Sequence, residues 1–282
     1  MFVTVNGVRL HYEVEGQGEP AILPSFAGIP IYQRVFSQQL RDHFRLIFLD
    51  LRTSGPSELG PMEAIAIDTL VDDMDAVRAS LGLERVAVIG HSFHGKLALA
   101  YALKYPAQTS RLAVVGCGPG PRDLALNARY WELMASAERK ALLAANRAAL
   151  HERDLTSLSP TDAYIASYAA TDPERFCDPA FDMTPWWEGC VFNMAAVERL
   201  YAEFRVYDPS PRFGEIACPV FVAAGWHDYP LPPLAWHEKK GLLPDCTFHA
   251  FERSGHYPQF EEQELFDAKL IAWLNGGASS ST

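Results

Sequence analysis

Several things are scarce in this chain of 282 residues, and each scarcity removes a class of function. Cysteine is sparse and odd in number: Cys117, Cys177, Cys190, Cys218 and Cys246 are scattered, with no Cys-x-x-Cys pair or Cys/His ligand spacing. A disulfide framework and a zinc site are therefore not expected, and no metal or cofactor is invoked. Positive charge is outweighed, 24 Lys and Arg against 35 Asp and Glu, for a formal net charge of -11. Such a chain is a poor holder of a phosphate backbone, so no nucleic-acid partner is expected. No apolar run approaches membrane-spanning length, and Met1-Phe2-Val3-Thr4-Val5-Asn6 leads straight into strand pattern with no basic, then apolar, leader. The expectation is a soluble cytoplasmic protein with a small-molecule substrate and no membrane partner. Internal repeats are absent, and the oligomeric state is left open by the sequence.

What is present is an alternation. Phe2–Val5 and Val8–Glu15 flank Asn6-Gly7, a hairpin signal. Short β-rich runs at Ala21–Leu23, Arg45–Leu49, Val86–Ile89 and Leu112–Val115 alternate with helical patterns at Ile31–Phe44, Ile67–Leu81 and Gly95–Tyr105. That order predicts βαβ units in a mostly parallel sheet with helices on both faces, the α/β class. The alternation stops at Gly118-Pro119-Gly120-Pro121. A helix-like block, about Arg122 to Tyr207, closes at Asp208-Pro209-Ser210-Pro211. Residues 119–212 read as a helical cap inserted into a core of residues 1–118 and 213–275. The core resumes with a strand at Val220–Ala224, a helix near Leu234–Leu243, a strand at Thr247–Phe251 and a helix at Gln259–Leu274. Residues 276–282 read as a flexible tail.

The chemistry is organised around Val86-Ala87-Val88-Ile89-Gly90-His91-Ser92-Phe93-His94-Gly95. A buried strand, a tight turn with Ser92 at its apex and a helix make the layout of a nucleophile elbow. The usual G-x-S-x-G is met in part: Gly90 is in place, but His94 stands where the second glycine is expected, with Gly95 one residue on. Two possible partners follow at strand ends. Asp228 ends Gly225-Trp226-His227-Asp228, and His256 lies in Ser254-Gly255-His256-Tyr257-Pro258-Gln259-Phe260-Glu261-Glu262. Ligands of open parallel sheets bind outside the carboxyl ends of strands, where all three residues fall. A serine hydroxyl needs a base, a neutral imidazole supplies one near neutral pH, and a carboxylate fixes its tautomer.

With these motifs and Asp50-Leu51-Arg52-Thr53-Ser54-Gly55-Pro56-Ser57, the chain from about Val3 to Leu274 resembles the α/β-hydrolase superfamily, in particular its proline iminopeptidase-like and small serine esterase branch. The resemblance implies a catalytic triad of Ser92, Asp228 and His256. It implies an oxyanion hole from the backbone of Phe93 and of Phe26-Ala27-Gly28, with Ala27 or Gly28 as the second donor. Relatives carry His-Gly-x at that loop. Phe26, Trp186, Trp187, Glu188 and Trp226 are candidates for substrate binding, Glu188 because proline iminopeptidases hold a free amino group with cap carboxylates. His91 is expected to pack beneath the elbow, His94 to pack rather than act as a base, Asp50 and Arg52 to hold a loop, and Cys117 to be a small buried hydrophobe. The reading is a cofactor-independent serine hydrolase that forms an acyl-enzyme with a small, largely apolar ester. Two alternatives stay open: an aminopeptidase of the proline iminopeptidase type, and a non-hydrolytic use of the fold as a lyase, a cofactor-free oxygenase or a ligand receptor. Haloalkane dehalogenases and epoxide hydrolases are disfavoured, because they use Asp where this chain has Ser92.

Overall fold

A computed structural model describes residues 1–276, so residues 277–282 of the expected tail lie outside the described residues. Eight strands form one sheet: β1 (Phe2–Val5), β2 (Val8–Glu15), β3 (Glu19–Ser25), β4 (Phe44–Asp50), β5 (Val86–His91), β6 (Thr109–Val115), β7 (Val220–Gly225) and β8 (Cys246–Phe251). Their spatial order is β1-β2-β4-β3-β5-β6-β7-β8. The β1–β2 hairpin is antiparallel and β2 joins β4 antiparallel, while every pair from β4 to β8 is parallel. The inner strands are apolar on both faces; all of β5 and all of β7 are buried. Unbroken apolar runs such as Val86–Ile89 are what a sheet covered on both sides requires.

Nine helices are described: α1 (Ile29–Val35), α2 (Ile67–Ser80), α3 (Phe93–Lys104), α4 (Leu124–Met134), α5 (Ala137–Glu152), α6 (Pro160–Ala169), α7 (Met194–Val206), α8 (Pro258–Glu261) and α9 (Gln263–Leu274). Helices α4 to α7 fall between β6 and β7, within the block read as helical. Each opens on a side-chain cap: Asp123, Ser136, Ser159 and Asn193 accept backbone N–H groups of the first turn. Among the described residues, no helix is long and apolar enough to cross a membrane.

Three helical expectations need correction. The run Ile31–Phe44 is not one helix: α1 ends at Val35, Phe36 is extended, and a 3₁₀ turn follows at Gln39–Asp42. Ser37 Oγ accepts the Leu40 N–H, and Arg41 donates to the Phe36 and Ser37 carbonyls at 2.9 and 2.6 Å, so local polar bonds restart the chain. Around Leu234–Leu243 only two 3₁₀ turns form, Pro233–Trp236 and Lys240–Leu242. Pro232, Pro233 and Pro244 bound this stretch and Gly241 interrupts it, which limits helix propagation. The C-terminal helix breaks at Glu262, whose carboxylate turns back to the loop before His256.

The strand order positions the site. The chain leaves β3 for β4 on one side, then returns to lay β5 on the other side of β3. The loops after β3 and β5 therefore part company, and a crevice opens at their carboxyl ends.

Candidate active site

Ser92 has φ 57° and ψ -133°, a backbone conformation that non-glycine residues rarely adopt. Strain of this kind persists only where neighbours enforce it. Here the enforcing contacts are close approaches to the two flanking glycines. A Cβ on Gly90 would run into the His94 carbonyl, and one on Gly95 would lie 2.6 Å from Cys117 Cβ. The spacing Gly90-x-Ser92-x-x-Gly95 thus supplies the second close approach one residue later than the usual pattern.

His256 and Asp228 arrive from the loops after β8 and β7. Ser92 Oγ lies 2.9 Å from His256 Nε2, and His256 Nδ1 lies 2.6 Å from Asp228 Oδ2. Asp228 is fully buried, and its other oxygen accepts the Leu231 N–H at 3.0 Å. Gly225 and Gly255 let these loops touch, since a Cβ on Gly225 would meet the Gly255 carbonyl. Glu261 accepts the N–H groups of Gly255 (2.8 Å) and Tyr257 (3.2 Å), so it brackets His256 from both sides. Burial pushes the Glu261 carboxyl up to about 7, against the pull of its backbone donors. Beneath the elbow, His91 Nε2 meets the His256 carbonyl at 2.9 Å. Burial, with His256 nearby, holds His91 well below the usual histidine range, so it stays neutral and donates.

A cavity of about 60 Å³ opens on Ser92. Its floor is Phe26, Ala27, Phe93 and His94; its walls include Trp187 and five tyrosines, 32, 164, 168, 201 and 257. The Tyr164 and Tyr201 hydroxyls pair at 2.6 Å, and those of Tyr168 and Tyr257 at 3.4 Å. Desolvation raises the Tyr32, Tyr201 and Tyr257 hydroxyls well above their ordinary value, which keeps them neutral. No Asp or Glu is among the cavity's lining residues. Larger surface hollows of about 390 and 810 Å³ contain none of Ser92, Asp228 and His256.

The structure brings together Ser92, Asp228, His256, Phe26, Ala27, Phe93 and Trp187. It does not bring in four other candidates. Gly28 (φ 105°) caps α1 outside the cavity. Trp186 packs on Phe176, Phe181, Tyr257 and Phe260 instead. Glu188 is exposed. Trp226 is 41 % exposed and borders a separate hollow with Phe248 and Lys240. Glu188 was a candidate through the resemblance to proline iminopeptidases, and it follows a 3₁₀ turn, Thr184–Trp187, that leaves its side chain in solvent.

Residues that sequence reasoning did not assign to the site include Tyr32, Tyr201, Tyr257 and Glu261. Only Tyr257 and Glu261 carried a signal, as members of the His256 motif. His94 does pack, with its ring centroid 4.5 Å from that of Phe26, but it also accepts the Phe26 N–H at 2.9 Å. Asp50 holds its loop by accepting the Ile29 N–H at 3.0 Å, and Arg52 is paired with buried Asp73. Cys117 is buried, and desolvation pushes its thiol up to about 12, out of reach of nucleophilic chemistry.

Comparisons with known proteins agree with this architecture. A Bacillus subtilis protein of the AB hydrolase superfamily, YclE, is 28 % identical over 281 residues, covering 96 % of each chain. A proline iminopeptidase of Heyndrickxia coagulans is 25 % identical, covering 97 % of this chain and 98 % of its own. The solved esterase of Exiguobacterium antarcticum superposes with a TM-score of 0.75 at 19 % identity, over 97 % of this chain and 98 % of that one. The sequence pattern described as alpha/beta hydrolase fold matches residues 21–263. With its sheet, its crevice and this match over most of its length, the chain belongs to the α/β-hydrolase fold family.

Proposed function

We propose that this protein is a serine esterase acting on esters with a short acyl group. The observation that carries the reading is the hydrogen-bonded series Ser92 Oγ, His256 imidazole, Asp228 carboxylate, at 2.9 and 2.6 Å. His256 Nε2 takes the Ser92 proton as Oγ attacks the ester carbonyl; buried Asp228 holds the tautomer and stabilises the imidazolium. The oxyanion is met by the N–H groups of Phe93 and Ala27. Phe93 opens α3, so its N–H has no intrahelical acceptor. His256 then returns the proton to the leaving alkoxide, and water releases the acyl group by the same steps in reverse roles. Helices α4 to α7, with Tyr164, Tyr168, Trp187 and Tyr201 facing the cavity, serve as a cap. A water needs about 10–15 Å³ of such cavity space. A hollow of about 60 Å³ therefore suits an acyl group of a few heavy atoms.

The aminopeptidase reading is less well supported. A desolvated ammonium needs a paired carboxylate, and the cavity lining holds none, Glu188 being exposed. The test is a screen of p-nitrophenyl esters of rising acyl length beside prolyl arylamides, with fluorophosphonate labelling and Ser92→Ala as control. Labelling on Ser92, turnover that falls beyond short acyl chains and loss of turnover in Ser92→Ala are expected. Efficient prolyl arylamide cleavage, or full activity in Ser92→Ala, refutes the proposal.

A further inference from the structure

At the residue where the elbow pattern expects glycine, this chain carries an imidazole with both nitrogens engaged. His94 is buried at the start of α3, two residues after Ser92. Its Nε2 accepts the N–H of Phe26, from the loop after β3, at 2.9 Å. Accepting there leaves the ring proton on Nδ1. That nitrogen lies 2.5 Å from the Tyr32 hydroxyl of α1 and 3.1 Å from the His91 carbonyl. Glycine has no acceptor to offer, so this tie between the elbow and the loop belongs to His94 itself. Ser25 completes the turn: its hydroxyl donates to the Gly28 carbonyl at 2.9 Å, while the Ala27 N–H reaches it at only 3.3 Å. The Phe26 N–H is thus committed to His94 and the Ala27 N–H is held by Ser25 Oγ, while both residues line the cavity with Ser92.

We propose that His94, braced by Tyr32, is a positioning residue that holds the Phe26 N–H and so sets the loop after β3, the oxyanion loop of the reading above, against the elbow. The inference rests on the serine-esterase reading above. A hydrogen bond across two elements costs no reorganisation at the moment of reaction, which is what makes oxyanion donors effective. Burial holds His94 down to about 3, so the ring is neutral and its Nε2 stays an acceptor over the working pH range.

Glutamine can offer an oxygen near the place of Nε2; leucine fills space without an acceptor. The experiment compares wild type, His94→Gln, His94→Leu and Tyr32→Phe for kcat and KM on p-nitrophenyl acetate. The rate of Ser92 phosphonylation by a fluorophosphonate and the melting temperature are measured alongside. Removing one oxyanion donor costs about 10²–10³ in kcat. His94→Leu is expected to lose about 10²-fold in kcat and in phosphonylation rate, with little change in KM. His94→Gln is expected to recover to within about tenfold of wild type, and Tyr32→Phe to fall between them. ¹⁵N NMR of wild type should show His94 Nε2 unprotonated from about pH 5 to about pH 9. Equal kcat in His94→Leu, His94→Gln and wild type, or a protonated Nε2, overturns the proposal while leaving the esterase reading intact. Absence of labelling at Ser92 in wild type overturns both. If His94→Leu does not fold, Tyr32→Phe and the NMR measurement decide: wild-type kcat in Tyr32→Phe overturns it.

Discussion

Replacing Asp228 by Asn changes one atom, yet the surroundings of that atom allow the consequence to be worked out. The Asp228 carboxylate is fully buried, with one oxygen on His256 Nδ1 at 2.6 Å and the other accepting the Leu231 N–H at 3.0 Å. In Asp228→Asn the amide has one oxygen and one NH₂. The Leu231 N–H is a fixed donor, so it selects the oxygen. The NH₂ is then turned toward His256, and Nδ1 must accept. The imidazole proton moves to Nε2, which faces Ser92 Oγ at 2.9 Å and can no longer take its proton. In a related triad the same change costs about 10⁴-fold in turnover, or roughly 5 kcal/mol of barrier. We expect a loss of that order in kcat for p-nitrophenyl acetate, with KM and melting temperature little changed. Circular dichroism and the thermal melt, which do not depend on Ser92 reactivity, normalise for folded enzyme. A loss under tenfold, with folding intact, would show that Asp228 does not govern the imidazole and would refute the reasoning.

Glu188→Gln should leave ester kcat/KM within about twofold of wild type, as surface substitutions away from special features do; a collapse of turnover places a substrate charge there. Gly95→Ala puts a Cβ 2.6 Å from Cys117 Cβ and 2.8 Å from its sulfur, so it should cost roughly 1–3 kcal/mol by overpacking and lower Tm by several degrees in a thermal melt. Glu261 is held up to about 7 from an ordinary 4.5 by burial, so the unfolded chain releases this proton first as pH rises. Its contribution to stability is present at acid pH and is lost between about pH 4.5 and about pH 7. The Tm of Glu261→Gln relative to wild type should therefore rise across that window; a difference that is flat or falls with pH contradicts the assignment.

Much of the site was legible in order along the chain. Ser92 and Asp228 each follow an apolar run short enough to be a buried strand, His256 follows the partly buried edge strand β8, and strand ends are where a parallel sheet presents its loops. Local patterning suffices for that, because a strand covered on both faces must be apolar throughout. The hairpin at Asn6-Gly7 was legible for the same local reason, since both residues take positive φ, 48° and 77°. The expected helices failed where a side chain overrode periodicity: Ser37 and Arg41 restart the chain after α1, and Glu262 bends it to serve the His256 loop.

What the sequence by itself determined was the family and the order of the strands, and it singled out the three residues that lie in hydrogen-bond contact, Ser92, His256 and Asp228. Only the tertiary structure decided which groups share the cavity. Its walls join Tyr32 from α1 to Tyr201 from α7 and Tyr257 beyond β8, and nothing in a local pattern encodes such long-range approaches. The same holds for hydrogen-bond supply. Whether a loop N–H is spent or spare depends on which acceptor packs against it. Here the acceptor is His94, 68 residues from Phe26, brought there because β5 crosses back to lie beside β3.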